Sequence, residues 1–185
     1  LGCGIWSLVA QRQIDIHGGG RDLIFPHHEN EIAQTEALTG KTFAKYWIHN
    51  GLIKVNGQKM SKSLGNSLVL HDLLEAYHPE TIKFALLQTN YRGDINVTDT
   101  LFPEAEKHLT GFYKVIESVY AKFGSDHGDT DSQGIEDSFK QCMDDDFNTA
   151  KALANLFGIF KKIKAKVNTG DNTATDDVAV LKKTY

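Results

Sequence analysis

Two kinds of hydrophobic pattern meet near residue 97. Before that point, short apolar runs alternate with glycine clusters and helical stretches. Ile14-Asp15-Ile16-His17 runs into Gly18-Gly19-Gly20, a helical pattern covers Glu29 to Leu38, and Trp47-Ile48 and Leu52-Ile53-Lys54-Val55 follow, closed by Asn56-Gly57. Asn-Gly is a strong tight-turn signal. Short strands alternating with helices predict an α/β arrangement over residues 1–96. Beyond it the period lengthens. Leu101, Ala105, Leu109, Phe112, Val115, Ile116 and Val119 recur at steps of three and four, which is one apolar stripe of a helix. Residues 124–134 are polar and predict a loop. A second helix is expected from about Asn148 to Val167, with Ala152, Leu156, Ile159, Phe160 and Ile163 inward. Residues 168–177 read as another loop and a last short helix is expected near Asp176. The segment 97–185 is therefore expected to be all-α.

Composition narrows the class. A chain of 185 residues makes one full domain or two small ones, and 41% hydrophobic residues supply a core. Two cysteines exclude a disulfide scaffold. No apolar run approaches the ~18 residues of a membrane span, and no secretory leader pattern is visible. The expectation is a cytoplasmic chain that is a piece of a longer one. The net charge of −4 hides an asymmetry. Residues 1–96 balance, residues 97–146 carry −8, and residues 147–185 carry +4. A polyanion would favour the last segment, around Lys161, Lys162, Lys164 and Lys166, unless these lysines are only the solvated face of a helix.

Three motifs carry chemistry. In Asp15-Ile16-His17-Gly18-Gly19-Gly20-Arg21-Asp22-Leu23 a strand runs into glycines that let a ligand approach the backbone, and Asp22 is placed to accept from a ribose. In Phe25-Pro26-His27-His28-Glu29-Asn30-Glu31, a helix starting at Pro26 would put His27 and Glu31 on one face. A histidine and a carboxylate at that spacing suit zinc; His28 and Glu29 would face other directions. Lys59-Met60-Ser61-Lys62-Ser63-Leu64-Gly65-Asn66 is a cationic, donor-rich loop able to clamp a triphosphate and stabilise charge on a leaving pyrophosphate. Each motif alone has a bland alternative: a common glycine loop, a helix turn with acids at its start, a solvated surface loop. Their order and spacing together remove it.

Lys59-Met60-Ser61-Lys62-Ser63 resembles the signature loop of class I aminoacyl-tRNA synthetases, and the run from His17 to Gln34 closely resembles the cysteinyl-tRNA synthetase family. Tyr91-Arg92 and Met143 to Thr149 are similar to that family too. The resemblance implies a Rossmann-like nucleotide-binding catalytic domain, partial in this chain, followed by a helical bundle that contacts tRNA. It implies ATP-dependent activation of cysteine, with Mg²⁺ accompanying ATP, and transfer to tRNA(Cys). It assigns Lys62 and Lys59 to catalysis. Lys62, His17, Gly20 and Asp22 would bind ATP. His27 and Glu31 would bind a zinc ion that takes the substrate thiolate, which a serine hydroxyl matches poorly.

The family's His-Ile-Gly-His-type motif and a further zinc cysteine are absent from these residues. Upstream of His17 the family reads Gly-Trp-His-Ile-Glu-Cys, where this chain has Leu1-Gly2-Cys3-Gly4-Ile5-Trp6-Ser7. Cys3 is a candidate third zinc ligand, while Cys142 reads as a small buried hydrophobe. A partner chain supplying the first half of the catalytic domain is one implied partner. The alternatives are the related ligase joining cysteine to an amino-sugar inositol in mycothiol synthesis, and an inactive tRNA-binding fragment.

Overall fold

The computed structural model describes residues 13–60, 68–124 and 133–184. Cys3 and Lys62 lie outside the described residues, as does most of the loop expected at 124–134. The chain divides into two compact units: Leu1–Asn66 with Tyr91–Val97, and Ser67–Asn90 with Thr98–Tyr185.

The first unit is α/β. Strand β1 (Ile14–Gly20) pairs in parallel with β2 (Ala44–Asn50), and helix α1 (Glu29–Thr39) makes the crossover between them. Parallel neighbours need such a crossover. Between β1 and α1 the chain makes two short turns, Arg21–Leu23 and Ile24–His28, with Phe25 extended inside the second. Helical backbone resumes after Phe25, so the start expected at Pro26 holds, with Pro26–His28 forming a wider turn that runs into α1 at Glu29. Gly40 ends α1 in the left-handed region (φ 65°), where a side chain would be strained. Phe43 then returns the chain: its N–H donates to Glu36 Oε1 at 3.1 Å and its ring is buried.

A second, three-stranded sheet is built around β3 (Ile53–Val55). It pairs antiparallel with β4 (Gln58–Lys59) across the Asn56-Gly57 turn, and parallel with β5 (Ile95–Val97). Both turn residues have positive φ, as the Asn-Gly pair predicts. Gly51 is required for a different reason. A Cβ there would lie 2.0 Å from the Gly93 carbonyl oxygen, because residues 91–95 pass directly over the entry to β3. That approach is held by Gly51 N–H donating to the Tyr91 carbonyl (2.7 Å) and Ile95 N–H to the Leu52 carbonyl (3.0 Å).

The second unit is helical: α2 (Leu70–Ala76), α3 (Pro79–Leu87), α4 (Leu101–Phe123), α5 (Gln133–Asp144), α6 (Thr149–Thr169) and α7 (Ala174–Thr184). Its core joins Val119 of α4, Leu156, Phe160 and Ile163 of α6, and Ala174, Val178 and Leu181 of α7. Phe112 stacks on Phe160 with centroids 4.2 Å apart. Asn148 caps α6 through its side chain, which accepts from Lys151 N–H at 3.1 Å. The helix expected near Asp176 starts two residues earlier. Helix α5 lies in the segment expected to be all-α but is not delimited by the sequence reading, although Ile135, Phe139 and the buried Cys142 follow a helical period. Lys161, Lys162 and Lys164 project outward, and Lys166 pairs with Asp177 at 2.6 Å. No helix among the described residues is long and apolar enough to cross a membrane.

Candidate functional site

The site lies on one face of the β1–β2 ladder. Side chains alternate along a strand, so residues two apart share a face. His17 pairs in register with Trp47, and Gly19 with His49. The rings of His17 and Trp47 meet edge to face at 4.8 Å, and Trp47 stacks over His49 at 5.9 Å. Gly19 leaves a hole in this face, and the His28 ring fills it. A Cβ on Gly19 would come within 3.2 Å of His28 Cε1 and 3.0 Å of Leu23 Cδ1. His28 is thereby buried, and its Nδ1 lies 2.8 Å from His49 Nε2 as one hydrogen bond between rings. The expectation that His28 faces away is corrected: the turn before α1 rotates it onto the sheet.

Glu31, one turn into α1, reaches the same place. Its Oε2 lies 2.9 Å from His17 Nε2, and its Oε1 lies 3.6 Å from His27 Nε2. Oε2 is buried yet, among the described residues, receives no hydrogen bond of acceptable geometry. A carboxylate oxygen left in that state is costly unless another cation or donor meets it. His17, His28 and Glu31 each offer a ligand atom within 4.8 Å of the others, a set able to hold a metal ion. His27 approaches Glu31 from the outer side and is 55% exposed. Glu31 is thus common to two donor sets, His27–Glu31 and His17–His28–Glu31. His17, assigned by resemblance to the ATP pocket, stands in this structure against Glu31. His28 and His49 were missed in the sequence. The period-two pairs His17/Gly19 and Trp47/His49 were the signal that could have found them.

Burial, above all, and then the neighbouring His17 and His49 hold His28 below the ordinary histidine pKa. The ring is kept neutral, which is the form that donates a lone pair to a metal.

The second part of the site lies where β1 ends. Gly20 leads through Arg21 to Asp22, whose Oδ2 accepts from Lys59 Nζ at 3.3 Å. The Gly-rich loop and the first lysine of the cationic motif are thus within reach of each other. Next to them, Arg21 Nη2 donates to both carboxylate oxygens of Asp94 (2.8 and 2.9 Å), Lys54 Nζ lies 2.9 Å from Asp94 Oδ2, and Leu52 N–H donates to Asp94 Oδ1 at 2.9 Å.

A parallel strand pair with a glycine-rich turn at the carboxyl end of its first strand and a histidine–carboxylate cluster beside it is an arrangement of the open α/β type, whose crevices lie at the carboxyl ends of the strands. Residues 3–107 match the family of class I (C) tRNA synthetase catalytic domains, more than half of the chain, and the chain belongs to that family. Residues 138–185 match the DALR domain. Among curated relatives, the cysteine–tRNA ligase of Acinetobacter baumannii (strain SDF) is 46% identical over 83% of this chain and 32% of its own length. That of Geobacter sp. (strain M21) is 43% identical over 89% of this chain and 36% of its own. The chain spans about a third of the length of the curated relatives it matches. Among solved structures, the agnB2 LeuRS–tRNA–LeuAMS ternary complex of Agrobacterium radiobacter K84 superimposes with a TM-score of 0.72 over 90% of this chain and 25% of that one. At 16% identity the likeness is one of fold.

Proposed function

We propose that this chain is the part of a cysteine–tRNA ligase that carries the amino-acid selection centre, the ribose-binding loop, the cationic signature loop and a tRNA-contacting helical region. The single observation that carries this reading is Glu31: its Oε2 is buried without a proper hydrogen-bond donor among the described residues, and its two oxygens face His17 and His27. Imidazole nitrogens beside a carboxylate fit zinc, and such a zinc would supply a thiol-selective ligand position. His27 and Glu31 would hold it, with Cys3 as a third ligand. His17, His28, His49 and Trp47 would wall the pocket and fix the Glu31 and His27 donors.

The remaining roles follow from charge. Asp22 and the Gly20 backbone would hold the ATP ribose, and Lys59 would be handed from Asp22 to phosphate when nucleotide enters. Lys62 would stabilise charge on the leaving pyrophosphate together with Lys59, and Mg²⁺ would accompany ATP. Positioning the cysteine carboxylate against the α-phosphate then does most of the work. Transfer to tRNA(Cys) would involve the region 97–185, whose lysines Lys161, Lys162 and Lys164 are displayed on α6. The DALR match over 138–185 favours tRNA over the amino-sugar acceptor.

The first half of the catalytic domain would be required in addition. Parallel sheets are ordinarily covered on both faces. Here the face opposite the site carries Ile16 (61% exposed) paired with Tyr46 (67% exposed). The missing half of a class I domain is the covering this face suits. The test is cysteine-dependent ATP–pyrophosphate exchange by this chain co-expressed with the N-terminal half of the Acinetobacter baumannii enzyme, followed by location of labelled cysteine. Label on tRNA(Cys) supports the reading, label on an amino sugar favours the alternative ligase, and an assembled complex without exchange supports an inactive tRNA-binding fragment.

A further inference from the structure

Asp94 lies 72 residues from Asp22 in sequence, yet its carboxylate sits at the joint between two segments that the proposed reaction needs in register. One is the turn that follows Gly18-Gly19-Gly20, represented by Arg21. The other is the start of the β3–β4 hairpin, represented by the Leu52 N–H and the Lys54 ammonium. Lys54 stands opposite Lys59 in the hairpin register, and Lys59 in turn reaches Asp22 at 3.3 Å. The contacts form a closed circuit: Asp22–Arg21 along the chain, Arg21–Asp94 and Asp94–Lys54 through space, Lys54–Lys59 across the hairpin, and Lys59 back to Asp22.

This circuit has one weak member and one strong one. The Lys59–Asp22 contact is long and both side chains are largely exposed, and ribose and phosphate would compete for both partners. Asp94 is different. Its carboxylate is mostly shielded, and it accepts from a backbone N–H, an ammonium and a guanidinium at 2.8–2.9 Å. The Leu52 N–H bond foremost, then Lys54 and Arg21, holds its carboxyl below the usual carboxylate range, so it stays charged near neutral pH. The close passage of Gly93 over Gly51 fixes the Asp94 backbone as well.

We propose that Asp94 is a positioning residue for nucleotide: through Arg21 it holds the Asp22 carboxylate where a ribose hydroxyl can reach it, and it maintains that placement when Lys59 leaves Asp22 for phosphate. The inference rests on the reading of Asp22 as the ribose acceptor. Arg21 is not itself assigned to substrate. Its function here is to transmit the fixed position of β3 and β5 to the residue beside it.

The test uses equilibrium dialysis of the chain assembled with the N-terminal half of the Acinetobacter baumannii enzyme, with ATP and with 2′,3′-dideoxy-ATP, which lacks the hydroxyls that Asp22 would receive. The unaltered assembly should prefer ATP. Asp94→Asn keeps an acceptor for Leu52 N–H but removes the charge that orders Arg21. It should weaken ATP about fivefold and leave dideoxy-ATP within about twofold, the scale of a coupled, partly exposed ion-pair network. Arg21→Ala, which leaves the Leu52 and Lys54 contacts in place, should act alike, and the double variant should be no worse than either single one. A structural role alone would weaken both nucleotides equally, and that result overturns the proposal, as does an unchanged ATP affinity. Asp22→Ala separates the two levels. If it abolishes the preference for ATP while Asp94→Asn and Arg21→Ala keep it, only the positioning role fails. If Asp22→Ala keeps the preference, or the unaltered assembly binds no ATP, the ribose reading falls and this inference with it.

Discussion

At the residue scale, the chemistry converges on Glu31 and the rings around it. His28 shows how burial sets protonation. Its pKa is lowered from 6.5 in the folded chain, mainly by burial. The unfolded chain therefore binds this proton more readily, and stability falls as pH drops through 6.5 toward the folded value, then levels off. Denaturant unfolding of the chain should show a lower midpoint at pH 5.5 than at pH 7.5, and His28→Gln should flatten that difference. An equal slope in the variant would assign the pH dependence to other groups. Lys62→Ala, in the reassembled protein, should slow cysteine activation by about 10²-fold or more while leaving bound zinc unchanged, because the role proposed for it is on charge that develops at phosphate. Exchange kinetics and metal analysis measure the two effects separately.

At the scale of elements, much of the fold was legible and the reasons are specific. The 3.6-residue stripe from Leu101 to Val119 is long and regular, and it is α4. The Asn56-Gly57 pair states its own turn. Helix α5 escaped because polar, acid-rich residues surround its few apolar positions, Ile135, Phe139, Cys142 and Met143. The rotation of His28 onto the sheet was equally hard to read. It depends on the extended Phe25 inside the turn, and on Gly19 providing the hole opposite, which is a tertiary coincidence of β1 with the start of α1. His27 and Glu31 could be paired from spacing alone because they lie four apart on the turn that follows Phe25 and runs into α1. The contact between Arg21 and Asp94 could not, since nothing local links residues 73 apart.

Packing at this scale gives a further prediction. Gly51→Ala would drive a methyl into the Gly93 carbonyl, where only backbone can move. It should cost about 3 kcal/mol or unfold the first unit. Ile163→Ala, in the core of the second unit, should cost about 2–5 kcal/mol by leaving a cavity. Thermal unfolding followed by circular dichroism reads both. A neutral Gly51→Ala would mean that residues 91–95 do not lie over β3.

At the scale of the whole molecule, the proposed zinc set draws on His27 and Glu31, which lie 3.6 Å apart, with Cys3 outside the described residues. Zinc in the isolated chain is therefore expected to be weak or absent, and metal analysis of the purified chain checks this; one tightly held zinc per chain would show that the site is completed from within. The exposed pair Ile16 and Tyr46 points the same way, toward a catalytic domain whose other half covers that face.

The most direct measurement of the central claim is cysteine-dependent pyrophosphate exchange by the chain assembled with the N-terminal half of a relative, run with cysteine and with serine, for the unaltered chain and for Glu31→Gln. The account predicts exchange with cysteine, almost none with serine, and loss of that preference together with bound zinc when Glu31 is changed. Exchange that is indifferent to Glu31, or that accepts serine as readily as cysteine, would contradict it.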